Sequence, residues 1–419
     1  MKLSTRILSL LAGLSLAVVS VVRAEDRPIV PPERVGLSAE KLQAVDRAMN
    51  QLVEDGKLPG GVVLVARRGQ IAYLKSFGKK ELATGQPMTN DTIFRIYSMS
   101  KAVTSAAAMM LVDDGKIALD DPVAKYIPEF KDAKIYKESG LVDPQRPPTV
   151  RDLLRHTAGL TYGVFGNSPV DQQYRAASVM SPDKTLTEMA AAVGTLPLEY
   201  DPGKGWKYSV ASDVLGRVVE VASGQTLAQF FKSRIFEPLG MVDSGFSVPA
   251  DKLDRFSTNY NLSDGRLTPI DVPVSSPYRT PARLASGGGG LVSTIRDYYR
   301  FLQMVANGGT WGDRRLLSAE SVRLMTTNQL PKEAGWVRFG PQIRTGVGYG
   351  LGFSVRVEMS AWDPGGRVGE YGWGGAASTH YWVSPEDDLI VVTMEQVMPY
   401  SFTTEFAVKA LIYDAIVEP

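Results

Sequence analysis

Residues 98–114 constrain this chain more than any other stretch. They begin Ser98-Met99-Ser100-Lys101 and continue through Ala102, Val103, Ala106, Met109 and Met110, with Lys101 the sole charge before Asp113. An apolar stripe along one side makes a surface helix, whereas apolar positions all round make a buried one. The spacing therefore predicts a helix from Ser98 to about Asp114 at the centre of the molecule, with other layers wrapped around it. The material for such layers is present in 419 residues, 44% hydrophobic and 22% charged, an ordinary globular mixture. That length predicts two or three domains, or one large two-part body.

The patterns on either side of the central helix define those layers. Before it come an amphipathic helix from Ser38 to Gly56, with Leu42, Val45, Met49 and Leu52 on one face, and strand-like runs at 61–66 and 71–77. After residue 286 come a Gly run at 287–290, a helix carrying Tyr298, Phe301, Leu302 and Val305, strands near 349–358, 368–371, 376–383 and 389–396, and a closing helix at 404–417. Residues 116–286 differ, with short helices alternating with Pro- and Gly-rich loops. Thr149 and Asp152 form a capping-box pattern opening a helix at 150–156, and further helices are expected at 212–222 and 226–236. The expected organisation is one discontinuous α/β domain, residues 25–115 with 287–419, and a mostly helical domain, residues 116–286, inserted into it.

Residues 1–24 read as a secretory signal peptide. Lys2 and Arg6 are followed by an uncharged apolar run at 7–22 and by Val22-Arg23-Ala24, with cleavage expected after Ala24. The run is short for a span of ~20 residues, so the mature chain is expected to be exported, periplasmic or secreted, with no stable membrane insertion.

The scarce residue types narrow the chemistry. The chain has no Cys, which removes thiol nucleophiles, disulfides and iron–sulfur clusters. Its two His, 156 and 380, leave little room for a metal site or a Ser-His-Asp triad, and no cofactor is expected. A net charge of +1 gives no footprint for nucleic acid.

Three motifs remain. In Ser98-x-x-Lys101 the Ser opens a helix and the Lys lies one turn later on the same face, where an ammonium can polarise the hydroxyl. The helix N-terminus favours negative charge on the attacking oxygen. The same string occurs elsewhere, including 76–79, which ends a strand, and 181–184, which contains Pro182 in a loop. Tyr208, just before an apolar helix, is the leading partner, since a phenol near cations can lose its proton. Gly372-Trp373-Gly374-Gly375-Ala376 leads into a strand, and its glycines allow a backbone N–H to approach a substrate.

Together and in this order, Ser98-x-x-Lys101, Tyr208-Ser209-x and Trp373-Gly374-Gly375 resemble the serine β-lactamase-like superfamily over roughly residues 34–417, and its family VIII carboxylesterase branch in particular. Supporting segments are 117–123, 156–160, 208–241, 286–294 and 373–385. The resemblance implies a class C β-lactamase-like fold, an antiparallel sheet flanked by helices plus a mostly helical inserted domain, with the active site between the two. It implies Ser98 as the acylated nucleophile, Lys101 and Tyr208 as the proton-handling pair, and the N–H groups of Ser98 and Ala376 as oxyanion donors. Trp373, Gly374, Gly375 and His380 are expected to bind substrate.

Two departures from the pattern point toward neutral esters. β-Lactamases and carboxypeptidases of the group usually have Tyr-x-Asn, where this chain has Val210. They usually have Lys-Thr-Gly, where this chain has Trp373-Gly374-Gly375, an aromatic wall instead of a cation. The expected function is a serine hydrolase of small, short-chain carboxylic esters. The alternatives are a β-lactamase, a D-amino-acid peptidase, an acyltransferase or a silent binding domain. His156 is read as structural, capping helix carbonyls. His380, on the strand after the third motif, leaves a Ser98–His380 dyad open.

Overall fold

The computed structural model describes residues 28–418, so the leader read at 1–24 lies outside the described residues. The elements that frame the site are α1 (Ala39–Glu54), β1 (Gly60–Arg67), β2 (Gln70–Gly78), α2 (Ser100–Asp113), α3 (Ala211–Ser223), α4 (Ile295–Ala306), β3 (Val347–Tyr349), β4 (Ser354–Arg356), β5 (Tyr371–Gly374), β6 (His380–Ser384), β7 (Leu389–Glu395) and α5 (Thr403–Asp414).

Seven strands form one sheet in the order β3-β4-β5-β6-β7-β1-β2. Every neighbouring pair is antiparallel. The N-terminal hairpin thus extends the C-terminal meander, with Val63 opposite Thr393, and the two ends of the chain share one sheet. All eight residues of β1 are buried because the sheet is covered on both faces. Val63 and Val65 pack with Val45 and Met49 of α1 and Val408 and Ile412 of α5. Val62 and Leu64 belong to the opposite core with α2. This is the period-two alternation of a strand between two layers.

The central helix is as buried as its composition predicts, with residues 100–111 all inside. Its polar groups are satisfied rather than stranded. Thr104 Oγ1 donates to Gly287 O at 2.6 Å, and Ser100 Oγ accepts from Leu291 N at 3.1 Å. On its flank lies α3, an inward-facing helix of the 116–286 segment.

Three strand readings differ from the sequence pattern, and the one expected at 368–371 lies instead at Tyr371–Gly374, as β5. The strand expected at 349–358 is split into the β3–β4 hairpin, because Gly352 turns the chain at φ +115° against Ser105. The strand expected at 376–383 starts only at His380. Residues 375–379 are a turn in which Ser378 N donates to Gly375 O at 2.9 Å and Gly375 N to Thr379 O at 2.7 Å. The 116–286 segment is rich in short helices but also holds a hairpin, Asn259–Ser263 with Arg266–Asp271. Its first strand pairs in parallel with Val397–Met398, just after β7. Among the described residues no helix is long and apolar enough to cross a membrane.

Candidate active site

Ser98 sits in a single 3-10 turn, Tyr97–Met99, that runs directly into α2. The residue before it, Tyr97, has φ +41°, a left-handed conformation that costs about 1–3 kcal/mol in a non-glycine residue. The surroundings hold it there. The Gln396 amide bonds both the N–H and the carbonyl of Arg95, Ile96 N donates to Leu291 O, and the Tyr298 hydroxyl donates to Met99 O at 2.9 Å.

Lys101, one turn along, is only 1% exposed. Its Nζ donates to Ser98 Oγ at 3.2 Å, to the Tyr162 hydroxyl at 3.0 Å and to Gly288 O at 2.6 Å. An ammonium has three donors, and all three are used. The Gly288 carbonyl reaches Lys101 because no side chain intervenes, since a Cβ there would lie 2.4 Å from Asp213 Oδ2 and 2.8 Å from the Tyr162 oxygen.

Asp213, on α3, is the buried anion behind the lysine. It accepts from Gly288 N at 3.0 Å, from Ser286 Oγ and from the Tyr162 hydroxyl at 3.4 Å. Burial pushes its carboxyl above the ordinary range, against the pull of Lys101 and these hydrogen bonds. Burial, and then the Asp213 charge, push the Tyr162 phenol well above its usual value, so Tyr162 remains a donor. The three sequence motifs include neither Tyr162 nor Asp213. Their signals are an Asp within an apolar helix, five residues after Tyr208, and a Tyr two residues beyond the 156–160 segment.

Tyr208 completes the group. The centroid of its ring is 4.5 Å from Lys101 Nζ, and its oxygen accepts from Trp373 Nε1 at 3.3 Å. Other rings wall it in, with centroid distances of 5.1 Å to His156 and 5.2 Å to Phe339. The adjacent Lys207 instead binds Asp171 at 3.0 Å and Glu199 at 2.5 Å, so the cation facing this phenol from the helix side is Lys101. The ring of His156 does not cap a helix. Its backbone N–H closes the last turn on Leu153 O while the ring packs beside Tyr208. Burial, then Lys101, lower its basicity far below the usual value, so it is neutral.

Ser98, Tyr208 and Ala376 open on one cleft of about 420 Å³. Its walls include Tyr162, Val164, Phe165, Met180, Phe246 and Leu284, and no charged side chain lines it among the described residues. Gly375 lets the chain pass against the Ile96 carbonyl, which a Cβ would approach to 2.4 Å, and so brings residue 376 beside residue 98. Among the described residues neither the Ser98 nor the Ala376 N–H takes part in the turn and cap hydrogen bonds around it.

The other third-motif residues and His380 lie around the cleft rather than on its wall. Trp373, Gly374, Gly375 and His380 do not line the Ser98 cleft. Trp373 is turned into the aromatic cluster behind Tyr208. A Cβ on Gly374 would meet Tyr400 and His380. His380 alternates with Tyr381 along β6, and Tyr381 is the residue that faces the α2 side, against Tyr298. His380 therefore faces away, packed against Tyr400 and Phe402 at 5.2 and 5.3 Å. Burial pushes its basicity down to about 3, and the Ser98–His380 dyad is not formed.

A serine held behind a strained residue at the mouth of a buried helix, a lysine one turn on and an antiparallel sheet joined to a helical segment define a serine hydrolase of the β-lactamase-like fold. The chain belongs to the Beta-lactamase family, whose model matches residues 45–412. It is 35% identical to Esterase EstB of Burkholderia gladioli over 66% of this chain and 74% of that one. It is 31% identical to the lovastatin esterase of Penicillium rubens over 85% of this chain and 93% of that one. Among solved structures, EstCE1, described as a hydrolase with promiscuous acyltransferase activity, superposes with a TM-score of 0.78. The identity is 26%, covering 89% of this chain and 98% of that one.

Proposed function

We propose that this protein hydrolyses carboxylic esters, with short acyl chains, through an acyl-enzyme on Ser98. The observation that carries the reading is the Lys101–Ser98 contact of 3.2 Å at the floor of a cleft with no charged lining. Ser98 Oγ attacks the ester carbonyl as its proton leaves toward Lys101 and Tyr208. The carbonyl oxygen, now negative, accepts from the N–H groups of Ser98 and Ala376. Lys101, 3.2 Å from Ser98 Oγ, and Tyr208, whose ring centroid lies 4.5 Å from Lys101 Nζ, are the pair that takes the proton and returns it to the departing alcohol. Water then attacks the acyl-enzyme and releases the acid.

The site's composition supports this reading. Val210 is fully buried at the start of α3 and presents no amide to a β-lactam or peptide side chain. Transfer of the acyl group to an alcohol other than water uses the same intermediate, and EstCE1 combines hydrolysis with promiscuous acyl transfer. The leader-like residues 1–24 extend the proposal to export, for which a mature N-terminus at Glu25 is the check. The deciding experiment is hydrolysis of p-nitrophenyl butyrate by wild type and Ser98→Ala. Turnover lost in the variant supports the proposal, and equal turnover overturns it.

A further inference from the structure

Arg344 is a buried cation that the mechanism above does not use. It is 6% exposed and lies just after a short hairpin, Arg338–Phe339 with Gln342–Ile343. Its guanidinium carbon sits over four rings, at 4.5 Å from the centroid of Phe339, 4.7 Å from Trp362, 4.8 Å from Phe402 and 5.8 Å from Trp373. It makes no ion pair among the described residues, and its Nε has no acceptor there. The Tyr400 hydroxyl lies close enough to act on its charge. The nearby carboxylates are held by other cations. Lys409 binds Asp363 at 2.8 Å, Glu370 at 2.9 Å and Glu405 at 3.3 Å, and Arg356 binds Asp363 as well.

Burying a guanidinium without a carboxylate is costly, and an aromatic cage recovers part of that cost through cation–π attraction. The cage also has a direction. Trp373, one of its walls, is the residue whose indole N–H donates to Tyr208, and Phe339, another wall, packs on the Tyr208 ring. The third motif of this chain lacks a lysine, and a positive charge is found one ring behind the tryptophan that stands there.

We propose that Arg344 is a positioning residue for Tyr208. Held in its ring cage, it seats the Trp373 indole against the phenol oxygen and supplies a fixed positive charge on that side. The inference rests on the reading of Tyr208 as one of the proton-handling pair. The groups that face Tyr208 include Lys101 from α2, Tyr162 backed by Asp213, neutral His156, Tyr349 from β3, Trp373 from β5, Tyr381 from β6, Tyr400 ahead of α5, Phe339 from the hairpin and Arg344 just after it. Glu405 lies behind Arg344 on α5. Lys101 and Arg344 are thus the two cations of this set, on different sides of the phenol. Positive charge favours an ionising phenol, so loss of Arg344 moves the acid-side limb of the rate profile to higher pH.

The test is the pH dependence of kcat for p-nitrophenyl butyrate in wild type, R344Q, R344K and E405Q. The expected result for R344Q is kcat lower by about tenfold, KM within about twofold, and the acid limb raised by about half a unit or more. R344K keeps the charge and returns the limb toward wild type. E405Q removes the opposing charge and moves the limb the other way, which keeps the proposal testable if R344Q does not fold. A wild-type limb in R344Q, or in E405Q should R344Q not fold, overturns the proposal whatever happens to kcat. If wild type and Ser98→Ala hydrolyse the ester equally, the hydrolase reading has failed instead. Ser98-dependent turnover with an unmoved limb rejects the role of Arg344 alone.

Discussion

The Gly288 carbonyl accepts a 2.6 Å hydrogen bond from Lys101 Nζ while the Gly288 N–H donates to Asp213 at 3.0 Å. One peptide segment therefore ties the lysine of α2 to the carboxylate of α3. Gly288→Ala places a methyl 2.4 Å from Asp213 Oδ2. Overpacking of this kind costs about 1–3 kcal/mol, and displacement of the carbonyl frees one Lys101 donor. The expected outcome is a lower Tm together with a loss of kcat/KM of tenfold or more. Wild-type values of both in the purified variant would show that this contact is dispensable.

The uncharged cleft predicts discrimination by acyl charge. A p-nitrophenyl ester whose acyl chain ends in a carboxylate must bring that charge among Val164, Phe165, Met180 and Leu284, with no cation lining the cleft to receive it. Desolvating an unpaired charge is expensive. The expected kcat/KM for the monosuccinate ester is about a hundredfold or more below that for the butyrate, a difference of about 3 kcal/mol. Comparable values would mean that a cation reaches the acyl group.

Several of these residues were legible in the sequence for clear physical reasons. The apolar girth of 100–111 forces burial, so Ser98 and Lys101 at its start were placed without knowing the fold. The strand-like runs 61–66 and 71–77 around an Arg-Gly turn marked the β1–β2 hairpin. Tyr208 and residue 376 were found because their motifs lie at helix and strand starts. Tyr162, Asp213 and Arg344 were not, because each meets the site through contacts between residues far apart in the chain, from a loop, the side of a helix and the end of a hairpin. Trp373 and His380 were assigned to the cleft by proximity to the third motif. The turn at 375–379 delays β6, and strand alternation then sends His380 to the α5 face and Trp373 behind Tyr208.

Stability should also depend on one carboxyl away from the cleft. Burial pushes Glu395, at the end of β7, up to about 8. One of its oxygens has no partner among the described residues. A carboxyl raised on folding stays protonated in the native state while the unfolded chain ionises above its ordinary value. Its penalty is absent below about pH 4.5, grows as pH rises and levels off above about pH 8, with an upper bound of about 5 kcal/mol. Glu395→Gln removes this dependence. In urea titrations its stability relative to wild type should increase from pH 5 to pH 8. A constant difference over that range would show that Glu395 is ionised in the fold.

The central claim is the covalent intermediate, and rapid quenching with a p-nitrophenyl ester followed by peptide mass analysis tests it most directly. The account predicts an acyl mass increment confined to the peptide carrying Ser98, formed by wild type within the burst of p-nitrophenol and absent from Ser98→Ala. An increment on any other residue, or a burst of full size in Ser98→Ala, would contradict it.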